Sequence, residues 1–392
     1  MFYELASTSW GQEEIDAATR VLAAGRFTMG DHVRRFEQAF AARFGLKHAV
    51  MVNSGSSANL VAVAALCQKQ DRPLRPHDEV IAPAISWATT FHPLQQYGLR
   101  LRFVDVDLDT LNMDVSQLEA ALTPRTRMVM GVSILGNPAA LDVMRAFCDR
   151  HGLYLFEDNC ESMGASLNGR PCGTFGHINT FSTFFSHHIS TMEGGLLATD
   201  DDELARLARI IRNHGWASGE AGAPDPQSAE GFAEAYRFVM PGYNVRPLEV
   251  CGAIGLEQLK KLDAMVERRR ANAKLFIELF GGDERFTLQR EHGRSSWLSF
   301  TVILNAGIDR LSVMRELRAA GIGFRMITGG CFPRHEAITF FDYDTLDSLP
   351  NANRVHDHGF FVGNHPRDLT AEITRLREVL DRAALPRSAV VR

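Results

Sequence analysis

Short β-branched runs alternate with helical segments over the first two-thirds of the chain, and that alternation leaves few folds open. Strand-like runs fall at residues 48–52, 79–82, 101–106, 128–133 and 153–157, with helical composition between them at 57–66, 115–122 and 140–151. Strand and helix in turn predict an α/β architecture, a mostly parallel sheet covered by helices on both faces. Two further strands, 180–185 and 195–199, lie too close together for a crossover and predict an antiparallel excursion. Residues 217–230, rich in Gly, Ala, Pro and Ser, read as a loop. After it, 247–270 reads as one long helix with a basic end, followed by elements at 299–304, 311–320, 323–327 and 369–383. The expected division is a large unit over residues 1–250, then a linking helix and a small α+β unit over 251–392.

Composition removes several classes of function. A net charge of −5 provides no long-range attraction to nucleic acid or to an anionic membrane, so neither is an expected partner. No apolar stretch is long enough to span a bilayer, and Met1-Phe2-Tyr3-Glu4-Leu5 lacks the basic region and apolar run of a secretory signal. The six cysteines are scattered without a CxxC or CxC pair, which predicts reduced thiols and no metal site. A cytoplasmic address is expected.

Three segments carry chemistry. Asn53-Ser54-Gly55-Ser56-Ser57 follows a strand and opens a helix, where free N–H groups and hydroxyls make a phosphate cradle; alone, it reads more readily as an ordinary serine N-cap. Glu157-Asp158-Asn159-Cys160-Glu161 ends the strand at 153–157, where ligands of α/β sheets gather. An aspartate there can face a pyridine nitrogen, though an acidic pair after a strand also serves as a cap or metal ligand. Ser186-His187-His188 follows an aromatic strand and precedes Glu193-Gly194-Gly195. Two adjacent histidines on an extended strand point to opposite faces, so one is expected at a ligand and the other in packing.

Lysine usage sharpens this reading. The chain has five lysines, Lys47, Lys69, Lys260, Lys261 and Lys274, and none between residues 70 and 259. Arginine carries most of the positive charge, so general lysine scarcity also accounts for the gap.

The order SGSxAN, ExDNxE, FSxFxSHHxxTMEGG, HGW and GYNVRP with AIGLEQL resembles the DegT/StrS family of nucleotide-sugar aminotransferases from about Phe27 to Leu262. That resemblance implies an aspartate aminotransferase-like fold (fold type I) binding pyridoxal 5′-phosphate or pyridoxamine 5′-phosphate. In the family, the position of His187 holds the lysine that ties down the cofactor. The longer signatures at 87–100, 157–165 and 241–249 resemble the branch in which histidine has taken that place. Carried over by position, the resemblance implies His187 as the catalytic proton carrier. It puts Gly55, Ser56 and Ser182 on the cofactor phosphate, Trp87 on the ring, Asp158 at the pyridinium and Glu161 near the ring hydroxyl, where aminotransferases usually carry glutamine. Asn244 would reach the phosphate of a partner subunit, and Tyr236 would project into the neighbour's site, implying a homodimer with shared sites. His214 and Arg325 are further candidates for substrate contact, or for structure alone.

Histidine cannot form the covalent link that lysine forms, yet its ordinary pKa suits proton transfer. The expected enzyme therefore binds its cofactor non-covalently, and the resemblance implies that it removes the C3 hydroxyl of a GDP-linked 4-keto-6-deoxymannose or another nucleotide-linked 4-keto-6-deoxy sugar. L-glutamate serves as the amine donor, becoming 2-oxoglutarate, and ammonia is released. An ordinary aminotransferase would need a lysine at 187. A dehydrase with an iron–sulfur cluster would need clustered cysteines. A non-catalytic, cofactor-binding family member is consistent with loss of the lysine, but suitable residues fill the other contact positions.

Overall fold

In the computed structural model, residues 2–217 and 236–384 are described; the loop expected at 217–230 lies outside them except for its first residue. The five expected parallel strands form in sequence: β1 (His48–Val52), β2 (Glu79–Pro83), β3 (Arg100–Val104), β4 (Thr126–Val132) and β5 (Tyr154–Asp158). A hairpin of β6 (Ser166–Leu167) and β7 (Arg170–Pro171) precedes β8 (Ile178–Ser182) and β9 (Gly195–Thr199). The large sheet has the order β1-β9-β8-β5-β4-β2-β3, with one further strand at its far edge. β9 pairs antiparallel with both β8 and β1, as the short spacing predicted. β8 itself runs parallel to β5, which brings Asp158 and Ser182 to the same end of the sheet.

The helices over the sheet include α1 (Gln12–Ala24), α2 (Asp31–Phe44), α3 (Gly55–Gln68), α4 (Ala88–Gln96), α5 (Leu118–Ala121), α6 (Leu141–His151) and α7 (Asp202–Ile211). Central strands such as β5 are buried along their whole length, so their sequence is continuously apolar rather than alternating.

Two expected boundaries moved for physical reasons. The long helix α8 (Glu249–Phe280) extends ten residues beyond residue 270. Its basic run, Arg268-Arg269-Arg270, reads as a helix end. Arg269 is in fact buried, and Ala273, Phe276 and Phe280 continue the apolar stripe into a second core. The strand expected at 180–185 stops at Ser182, because Thr183 instead closes the neck of a loop: its Oγ1 lies 2.6 Å from Thr191 Oγ1.

The second sheet is antiparallel, in the order β10 (Phe286–Thr287), β11 (Ser299–Leu304), β14 (Gly359–Gly363), β12 (Phe324–Arg325). It packs with α8, α9 (Arg310–Ala319) and α11 (Thr370–Ala383) around Phe276, Phe300 and Phe360. Both ends of the chain cross the expected division at residue 250. Tyr3 donates its hydroxyl to the Gly363 carbonyl in the small unit. β13 (Tyr343–Thr345), ahead of α10 (Pro350–His358), adds a parallel strand to β3 of the large sheet. Among the described residues no helix is long and apolar enough to cross a membrane.

Candidate active site

The floor of the site is built where β5 and β8 end and α3 begins. Ser54 caps α3, its Oγ accepting from Ser57 N at 3.0 Å, so the helix opens at Gly55 and Ser56. A Cβ on Gly55 would lie 2.7 Å from Ser182 Cβ and 3.0 Å from Cys160 Sγ, so only glycine lets the three segments meet. Ser56 Oγ donates to Thr89 Oγ1 at 3.1 Å, tying the helix start to the segment that carries Trp87. Trp87 precedes α4 with its indole 57% exposed, a large apolar face left uncovered at the site.

Asp158 stands at the tip of β5, buried and held by neutral donors. Its Oδ2 accepts from Asn59 Nδ2 at 2.9 Å and Thr90 Oγ1 at 2.8 Å, and its Oδ1 from Cys160 N at 3.2 Å. Thr180 Oγ1 donates to Asn59 Oδ1 at 2.6 Å, which fixes the amide orientation. A carboxylate has about four acceptor positions; three are used, and among the described residues no cationic side chain pairs with it. This arrangement suits a cationic ring nitrogen. The neighbouring Glu157 does something else: it accepts from Gly173 N, from Phe175 N at 2.9 Å and from Gly176 N at 3.3 Å, a structural role behind the sheet.

His187 and His188 are not on a strand. Both lie in the loop after β8, where His187 N donates to Phe184 O at 2.9 Å. The two rings part, as expected, with one of them in packing. His188 is fully buried, with Nε2 at 3.3 Å from Ser296 O. His187 is half-buried and its Nδ1 has no partner, so Nε2 is the nitrogen available for proton exchange. Burial first, and then the buried Arg269 guanidinium, lower the His187 pKa to about 4, with Asp158 pulling the other way. At neutral pH the ring is an uncharged base.

Glu161 faces the floor from the opposite wall. Its Oε2 accepts from Leu135 N at 2.9 Å and from Thr328 Oγ1 at 3.4 Å. Both donors sit in left-handed backbone, φ 51° at Leu135 and φ 42° at Thr328. Such strain in non-glycine residues persists where the surroundings over-determine it. Burial raises the Glu161 pKa to about 7, against the Leu135 bond and with Asp158 adding repulsion.

Gly55, Ser56, Trp87, Asp158, Glu161, Ser182 and His187 are thus brought around one cleft. Tyr236, His214 and Asn244 are not. Tyr236 stacks on Trp216, centroids 5.9 Å apart and planes within 4°, and is 64% exposed. His214 N donates to Tyr243 O at 2.8 Å while its side chain is exposed. Asn244 is also exposed, although the adjacent Val245 carbonyl accepts from Asn53 N at 3.0 Å, just before Ser54 and the start of α3. Arg325 lies exposed on β12, three residues ahead of Thr328. Sequence reasoning missed Asn59, Thr90 and Thr180 around Asp158, although Asn59 was within a quoted motif. It also missed Leu135 and Thr328, for which no local pattern existed.

A mixed, mostly parallel sheet with an acidic strand end facing a glycine-opened helix, joined to a small antiparallel unit, defines a pyridoxal phosphate-dependent aminotransferase fold. The chain belongs to the DegT/DnrJ/EryC1/StrS aminotransferase family, whose model matches residues 8–380. It is 45% identical over 387 residues to GDP-4-keto-6-deoxy-D-mannose 3-dehydratase of Yersinia pseudotuberculosis, covering 96% of this chain and 98% of that one. A solved GDP-4-keto-6-deoxymannose-3-dehydratase with a trapped PLP-glutamate geminal diamine superposes with a TM-score of 0.93 at 45% identity, covering 96% of this chain and all of that one. A histidine-to-asparagine variant of such an enzyme with bound GDP-perosamine matches equally well, with a TM-score of 0.93, 45% identity and the same coverage.

Proposed function

We propose that this chain is a 3-dehydratase for GDP-4-keto-6-deoxy-D-mannose that works with pyridoxamine phosphate. It recharges the cofactor from L-glutamate and releases 2-oxoglutarate and ammonia. One observation carries this reading: the cleft presents an imidazole and no amine. Lys47, Lys69, Lys260 and Lys261 are each engaged by carboxylates elsewhere, and Lys274 is exposed on α8. Nothing in the cleft can tether a cofactor through an amine, but a neutral base is present. The relatives named above share this chemistry by name.

The residues fit the cofactor. The opening of α3 at Gly55 and Ser56, with Ser182 against it, would take the phosphate. Asp158 would pair with the ring nitrogen, Glu161 would face the ring hydroxyl, and Trp87 would cover the ring. When bound, the cofactor supplies an electron-withdrawing ring conjugated to the reacting carbon. His187 Nε2, uncharged at neutral pH, accepts a proton and in its protonated form can return one to the departing hydroxyl. Without an amine to recapture the cofactor, no nitrogen is retained in the sugar, and dehydration is the outcome.

The proposed assembly is a homodimer. Trp87, Phe184, Phe185, Tyr236, Phe238 and Leu248 are each 39–64% exposed, more apolar surface than scattered single residues provide. Asn244 and Tyr236 are both exposed and would be available to a partner's cleft.

The test is a panel of GDP-, CDP- and dTDP-4-keto-6-deoxy sugars incubated with glutamate and cofactor, with mass spectrometry of products. The expected result is a 3-deoxy-4-keto sugar from the GDP substrate together with 2-oxoglutarate. His187→Asn should lower turnover by about 10²- to 10⁴-fold while cofactor still binds. A variant that turned over at the wild-type rate would remove His187 from the mechanism.

A further inference from the structure

The segment Ser295–Leu298, just before β11, is held in an unusual way. Its four successive carbonyls each accept from a different side chain. Arg270 Nε reaches Ser295 O at 2.8 Å, His188 Nε2 lies 3.3 Å from Ser296 O, Asn364 Nδ2 reaches Trp297 O at 2.8 Å, and Arg269 reaches Leu298 O at 3.1 Å. On the other edge, Ser296 N donates to Gly136 O at 2.9 Å and Leu298 N to Leu135 O at 3.0 Å. Leu135 is the residue whose N–H holds Glu161. This strap therefore touches both walls of the cleft, the histidine loop through His188 and the Glu161 loop through Leu135.

The chemistry of the contact at Ser296 assigns the state of His188. A carbonyl can only accept, so Nε2 must carry the proton. Nδ1 is buried with no partner and has no call for a second proton. Arg269 is buried beside it, bonded to the Leu298 and Asn364 carbonyls and to no carboxylate among the described residues. That unneutralised positive charge, together with burial, opposes a charged imidazole at either histidine.

We infer that His188 is a positioning residue for the dehydration: its Nε2–H bond to the Ser296 carbonyl anchors the loop to the strap and thereby aims the adjacent His187 across the cleft. The inference rests on His187 being the proton carrier. Two adjacent histidines thus divide the work, one moving a proton and the other holding its neighbour. Without this anchor the site would keep the residues of α3, β5 and β8 that hold the cofactor but lose the aim of the base.

The experiment compares His188→Leu, which fills the space without a donor, with His188→Gln, whose amide can still donate to Ser296 O, and with His187→Asn as the reference. In the holoenzyme, His188→Leu should lose about 10- to 100-fold in kcat, with KM for the GDP-sugar and for glutamate within twofold. His188→Gln should recover most of that loss. Equal impairment of the Leu and Gln variants, or wild-type kcat in the Leu variant while His187→Asn is inactive, overturns the positioning role alone. Wild-type activity in His187→Asn overturns the proton-carrier reading beneath it. If the Leu variant does not fold, ¹⁵N-histidine spectra of the native protein decide. The resonance lost in His188→Gln should be a neutral Nε2–H ring from pH 6 to 8, and an Nδ1–H ring or a titrating one refutes the anchor.

Discussion

The two walls of the cleft are made in different ways. The floor that carries Gly55, Asp158 and Ser182 is regular structure: a helix start and the tips of two parallel strands, with donors set by side chains nearby in the sheet. The opposite wall, around Glu161, is made of turns in left-handed backbone. Leu135, Trp297 and Thr328 have φ of 51°, 47° and 42°, and they are held by contacts between residues as many as 167 apart in sequence. Regular elements provide a fixed anion cradle at little local cost. Strained turns are stable only while their partners stay in place, so the second wall should be the one that couples the cleft to the small unit.

Two glycines, one in each wall, put that contrast to the sharpest test. At Gly136, φ is 97° and a Cβ would lie 2.5 Å from Trp297 N and 2.7 Å from Leu298 N, backbone atoms that cannot rotate away. Gly136→Ala should destabilise the fold by about 3 kcal/mol or more, combining left-handed strain with overpacking. Gly55 lies at a helix start with no left-handed requirement, and a Cβ there meets the Ser182 side chain at 2.7 Å. Gly55→Ala carries the overpacking without the left-handed strain, so it should cost about 1–3 kcal/mol in stability and also lower cofactor affinity. Denaturant titrations of both apoproteins check this; a Gly136 variant as stable as wild type, beside a strongly destabilised Gly55 variant, would reverse the assignment of rigid and strained walls.

The same contrast explains what could be read from sequence. The glycine-opened helix start and the acidic strand end were legible because each is a local motif, in which a strand, a glycine or an acidic run, and a helix follow one another. Asp158 and Gly55 are placed by their own neighbours. The strap was not legible. His188 and Ser296 are 108 residues apart, Glu161 and Thr328 are 167 apart, and the groups that meet are largely backbone, which any residue supplies. The histidine pair was half legible: alternation on a strand predicted that the two rings part, and one is packed while the other is half-buried, although they sit on a loop and not on a strand. The basic run ending at Arg270 misled the helix boundary because a buried, carbonyl-bonded Arg269 has the same letter as a solvated one.

For the floor, the decisive variant is Asp158→Asn. The amide can keep an acceptor toward Asn59 and Thr90 but offers no charge to a ring nitrogen. A hydrogen bond to a charged group contributes about 1.5–3 kcal/mol, so cofactor dissociation should weaken by about 10- to 150-fold. An absorbance titration of the apoprotein with pyridoxal phosphate measures it. Affinity within twofold of wild type would mean that Asp158 does not face the cationic nitrogen, and the floor would have to be turned around.

For the strained wall, the smallest effect is also the most specific. Burial raises the folded-state pKa of Glu161 from the ordinary carboxyl value of 4.5 to about 7. Between those values the folded protein holds a proton that the unfolded chain releases, so the contribution of this group is fully favourable below pH 4.5. It is lost as pH rises through 7. Glu161→Gln keeps an oxygen to accept from Leu135 N and never charges. The variant should therefore melt like wild type near pH 4.5 and gain stability relative to it as pH rises, on the order of 2 °C by pH 8. The difference is read between paired melts of the two apoproteins, because the histidines with lowered pKa shift both proteins alike as pH falls below 6.5. A gap that stays constant from pH 4.5 to 8 would show that Glu161 is solvated in the free protein, and that the strained turns around it hold a carboxylate without drying it.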